Sequence, residues 1–125
     1  MGAFRRLVAW QESNTLTRDL HAALDVRRRN AYPGLRDQIL RAAGSISDNL
    51  AEGCAKRSRV ELARYADMAY AAAKEVESQL ERGRSANAFT EQQFSDFAAR
   101  LDRVARLCYG LSRPGESSDR RADVK

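Results

Sequence analysis

Proline appears twice and glycine seven times in 125 residues, so little in the chain interrupts regular backbone, and the composition leans helical. No stretch approaches the roughly 18 consecutive apolar residues that a membrane span requires. The opening residues, Met1 to Arg6, lack the apolar segment of a secretory signal, and Arg6 stands where a myristoylation signal carries Ser or Thr. A cytoplasmic protein without a membrane role is expected. Cys54 and Cys108 are far apart and form no CxxC, which suits two free thiols in a reducing compartment. Histidine occurs once, at His21. No HExxH, paired Glu-x-x-His, Gly-rich phosphate loop or nucleophile elbow accompanies it, so no metal, cofactor or catalytic residue is expected. The carboxylates sit at helical spacings from Arg and Lys, as on solvated faces. The chain does not read as an enzyme.

What is present is helical periodicity. A first helix is expected over about 4–29, with Ala9, Trp10, Leu16, Leu20, Ala23 and Leu24 on its apolar side. It ends in Arg27-Arg28-Arg29, where cations suit the negative end of the helix dipole. Tyr32-Pro33-Gly34 breaks it. A second helix over 35–52 carries Leu35, Ile39, Ala43, Ile46 and Leu50 at i, i+4, i+8, i+11 and i+15, and Gly53 reads as a left-handed terminator. Ser58 to Glu61 forms a capping box for a third helix over 59–82, whose face is rich in alanine. Thr90 to Gln93 forms another for a fourth over 91–112, with Phe89 placed to staple onto Phe94. Residues 113–125 have few apolar side chains and read as a disordered tail. Four helices with short joints predict one all-α domain, an antiparallel up-down four-helix bundle.

Two features exceed what a bundle needs. In the second helix, Gln38, Ser45, Asn49 and Glu52 form a narrow polar stripe roughly 100° from the apolar one, with Arg41 at its edge. Such a stripe suits a polar network inside the bundle, a contact between subunits or a ligand groove, as well as ordinary exposed surface. The second feature is charge. The net value is +5, and residues 1–60 hold all of the excess, with eleven basic and six acidic side chains. Two clusters stand out, Arg27-Arg28-Arg29 and Lys56-Arg57-Ser58-Arg59. An asymmetric basic surface suits an anionic partner, nucleic acid above all, or simply serves solubility. In an up-down bundle the two clusters lie at opposite poles. One rim should therefore dominate, and Lys56, Arg57 and Arg59 are favoured because the first cluster already has a dipole role.

The second-helix residues also carry a family resemblance. Gly34, Leu35, Gln38, Arg41, Ala42, Ser45, Ile46, Asn49, Ala51, Glu52 and Gly53 match in register the motif of the four helix bundle protein family. These are proteins encoded by intervening sequences of bacterial large-subunit ribosomal RNA genes. Leu7 and Trp10 resemble its opening segment, and Glu75, Glu77, Gln79 and Leu80 its E-x-E-x-Q-L. Tyr70-Ala71-Ala72 departs from the usual Arg-Gly-Ser. The chain is also similar to the accessory variability protein of diversity-generating retroelements, a basic pentamer that works with a reverse transcriptase and RNA. The resemblance implies a non-catalytic homo-oligomer, a pentamer, that binds RNA or a ribonucleoprotein partner. The alternative is a homo-oligomeric scaffold for a protein partner with no nucleic-acid role, and a small-molecule-binding bundle ranks third.

Overall fold

Helix starts and stops follow local chemistry, and the computed structural model describes them over residues 3–24 and 33–114. A short 3-10 helix, Ala3–Arg6, precedes α1 (Val8–Ala23), α2 (Leu35–Ala55), α3 (Arg59–Ser85) and α4 (Glu91–Ser112). No strand occurs among the described residues. Thr90 caps α4 with a full capping box: its hydroxyl accepts from the Gln93 amide at 3.0 Å, and the Gln93 side chain accepts from the Thr90 amide at 2.9 Å. Ser58 caps α3 with half a box. Its hydroxyl accepts from the Glu61 amide at 3.3 Å, while the Glu61 carboxylate turns to Arg64.

The helices run alternately up and down. Glu12 pairs with Arg103 at 2.6 Å and Asp19 with Arg100 at 2.9 Å, so α4 descends as α1 rises. Gly53 of α2 meets Leu62 and Tyr65 near the start of α3, and Gly83 near the end of α3 meets Phe89 just before α4. Each helix packs on its sequence neighbours, and α1 closes the bundle against α4. The expected apolar stripes meet in the centre: Leu16, Leu20, Ile39, Ile46, Leu50, Val76, Leu80, Val104 and Cys108 are all essentially inaccessible. Alanines at 66, 69 and 73 are also fully buried, which lets neighbouring helices approach α3 closely.

Several expected boundaries move. α1 stops at Ala23, short of Arg29, because Leu24 leaves the helical region with ψ 74. Its side chain is fully buried, and its carbonyl accepts from the Arg36 guanidinium at 2.9 Å. A contact from α2 thus occupies the group that would have continued the helix. Arg27, Arg28 and Arg29, and the dipole role expected of them, lie outside the described residues. α2 and α3 each run three residues longer than expected. Gly53 is not a terminator. It is buried inside α2, where a Cβ would come within 2.8 Å of the Tyr65 Cβ. The left-handed positions after α2 and α3 are Arg57 and Asn87, each with φ 59. The Phe89 ring pairs edge-on with Phe97 at 5.7 Å. Of the expected tail, Arg113 and Pro114 are described and the remainder lies outside.

Candidate nucleic-acid interface

Antiparallel order brings three separate segments to one end of the bundle: the start of α1, the α2–α3 joint and the end of α4. That end carries Arg5 and Arg6 on the 3-10 helix, Lys56, Arg57 and Arg59 around the joint, and Arg113 after α4, all exposed. The 3-10 helix packs on both α1 and α2. Carboxylates near the joint are fewer. Glu61 accepts from Arg64 at 2.9 Å, an ion pair that pushes the Arg64 guanidinium further up. Glu52 accepts from the Tyr65 hydroxyl at 3.4 Å. The Tyr65 ring also lies under Arg64, at 4.8 Å, and Lys56, at 5.9 Å. The basic cluster therefore has an aromatic companion from the next helix.

Backbone geometry at the joint is unusual. Arg57 holds φ 59, a region where glycine or asparagine is the ordinary occupant. Arg59 is the first residue of α3, at the positive end of the dipole, where a cation is unfavourable. Lys56 and Arg57 follow the carbonyl end of α2, where cations are welcome. Helix electrostatics thus account for two of the three cations and oppose the third.

A family model described as 23S rRNA-intervening sequence protein matches residues 5–110. The chain belongs to the 23S rRNA-intervening sequence protein family. Comparison with curated proteins finds no match. In this family member the polar residues of the α2 motif lie at or near the surface, while Ala42, Ile46 and Gly53 of the same motif are buried. Gln38, Arg41 and Glu52 are exposed, and Ser45 and Asn49 are half-buried. Asn49 donates back along its own helix, to the Ser45 carbonyl at 2.8 Å and the Ser45 hydroxyl at 3.1 Å. Within the stripe, Ser45 and Asn49 thus satisfy each other locally, while Glu52 is joined to α3 through Tyr65. Gln38 lines a shallow, open recess with Pro33, Leu35, Glu81, Arg82 and Ser85.

The polar groups that are buried lie elsewhere. Ser13 and Ser47 donate to carbonyls one turn back, at 3.2 Å each. Gln79 on α3 is 3% exposed. Its Nε2 donates to Glu75 at 3.3 Å, and its Oε1 has no hydrogen-bond partner. Gln79 belongs to the E-x-E-x-Q-L segment that resembles the family, but its burial was not visible in the spacing. Arg5, Arg6 and Arg113 were missed as part of the basic end because they are far from Lys56 in sequence. The up-down topology itself was the signal that places them together. Burial pushes the Cys54 thiol up, so it stays protonated near neutral pH. No helix among the described residues is long and apolar enough to cross a membrane.

Proposed function

We propose that the protein is a non-catalytic cytoplasmic homo-oligomer, a pentameric ring, that binds RNA through its basic end. The observation that carries this reading is the convergence of Arg5, Arg6, Lys56, Arg57, Arg59 and Arg113 from three separate segments onto one end. Arg59 stands there against its own helix dipole, a local cost that solubility does not require. A ring of five chains, each at +5, would carry about +25 and focus positive potential along a rim. Phosphate contacts dominate such binding, so it should be strongly salt-dependent and tolerant of sequence.

The test is fluorescence polarisation with unrelated RNAs across a salt series. Affinity should fall steeply with salt, and the triple variant Lys56→Ala/Arg57→Ala/Arg59→Ala should flatten the slope by about 0.7 to 0.9 per phosphate contact removed. Light scattering should give a mass well above the 14.0 kDa of one chain; a clean monomer at micromolar concentration removes the ring. One observation favours a second reading, a homo-oligomeric scaffold for a protein partner. Lys56 and Arg57 are explained by the carbonyl end of α2 alone, and absence of RNA binding at low salt would leave that reading in place.

A further inference from the structure

Two pairs of side chains, Tyr70 with Lys74 and Tyr109 with Arg113, form a ladder along the outer seam between α3 and α4. The Arg113 guanidinium lies 4.6 Å over the Tyr109 ring. Tyr109 meets Tyr70 with ring centroids 5.5 Å apart and planes tilted by 57°. The Lys74 ammonium lies 5.5 Å over the Tyr70 ring. Tyr109 is 44% exposed, one of only three large apolar side chains so open among the described residues. Because α4 runs toward the basic end, Arg113 is where the ladder joins it.

We propose that this ladder is a stacking platform for the bases of a single-stranded RNA whose phosphates lie along the basic end, an inference that rests on the RNA-binding reading above. Tyr109 is open, and Tyr70 is half-buried against the core beside it; an open tyrosine ring accepts any base, and the arginine plane next to it extends the stack. Charge fixes the direction and the length. Beyond Lys74 the groove between α3 and α4 is lined by Glu77, Glu81 and Asp102, which repel a phosphate backbone. Lys74 is already held by Glu77 at 3.3 Å, a hydrogen bond that pushes its ammonium further up. A strand is thus admitted from the Arg113 end and stopped at Lys74, which leaves room for one or two bases. A duplex, whose bases are paired and stacked inward, gains nothing from the rings.

The experiment compares a single-stranded RNA of about ten nucleotides with the duplex of the same sequence, by fluorescence polarisation at low salt, using the full chain. Tyr109→Leu and Tyr70→Leu, with folding checked by circular dichroism and thermal midpoint, should each weaken single-strand binding by about tenfold or more. Duplex affinity should stay within about twofold, since its phosphate contacts are untouched. Tyr109→Phe should bind like the parent, which separates stacking from the loss of a hydroxyl. If RNA binding depends on Lys56, Arg57 and Arg59 but ignores both leucine variants, the platform is wrong and the basic-end reading stands. Equal weakening of strand and duplex also overturns the platform. So does a Tyr109→Leu protein that keeps full RNA affinity and changes its mass in light scattering, because the ring would then serve a contact between copies. Failure of the parent protein to bind either RNA overturns the basic-end reading, and the platform with it.

Discussion

Gly53 shows how much can depend on a single missing methyl group. A Cβ there would lie 2.8 Å from the Tyr65 Cβ and 3.2 Å from a Leu62 methyl. The first obstacle is fixed to the α3 backbone, so relief requires the two helices to separate. Gly53→Ala should therefore destabilise the fold by about 1–3 kcal/mol, measured by equilibrium chemical denaturation. A change within about 0.5 kcal/mol, as at an ordinary surface site, would contradict that contact. Asp19 offers a test of a different kind. Burial pushes its carboxyl up, but hydrogen bonds from Arg100 and Arg18, reinforced by their charges, outweigh this and hold it below its ordinary value. A depressed folded-state pKa contributes stability above the unfolded value of 3.8, and that contribution is lost as pH falls through the folded value. Asp19→Asn should remove that part of the acid destabilisation. The gain is a few tenths of a kcal/mol, because the side chain is 38% exposed and its ion pairs are screened. Denaturation curves at about pH 6 and pH 3 would show the difference between parent and variant narrowing at the lower pH.

At the scale of elements, the α2–α3 joint sets a helix end against the proposed RNA-binding surface. Arg57 holds φ 59 in a position that glycine occupies without steric cost. Arg57→Gly should raise stability by up to about 1 kcal/mol in thermal denaturation while lowering RNA affinity. A variant that loses both would mean that the arginine side chain holds the joint in place. The same joint shows what the sequence reveals and what it hides. The apolar stripe of α2 and the capping box of α4 are local patterns, and both are found where spacing puts them. Gly53 fits a terminator and a close-packing residue equally well, and only the position of Tyr65 decides between them. The end of α1 is hidden for a related reason. Helical propensity continues past Leu24 in the sequence, and the group that stops it is Arg36, twelve residues on. The polar stripe of α2 was visible as a pattern, but its exposure depended on how α2 turns against α1 and α3. The Tyr70–Tyr109 pair was invisible because neither tyrosine is near a basic cluster in the sequence.

At the scale of the whole molecule, alternation of helix direction does more than build a core. It gathers cations from both ends of the sequence beside those of the middle joint, which no local window of the chain contains. The other end of the bundle has a different character. There, Arg84 is committed to Glu91 at 2.9 Å, and Arg36 lies 3.6 Å from Asp37 and donates to the Leu24 carbonyl.

The closure of α1 against α4 also sets an order of events in time. Pairings of α2 with α3 and of α3 with α4 join neighbours across short turns, and their loop-closure entropy is small. The α1–α4 seam joins residues as far apart as Glu12 and Arg103, 91 positions along the chain, so it should form after the others. Val104 is fully buried on the α4 side of the bundle. In stopped-flow kinetics, Val104→Ala should speed unfolding and leave the folding rate nearly unchanged. Slower folding with unchanged unfolding would mean that the seam is part of the nucleus, and that the bundle closes before its hairpins are complete.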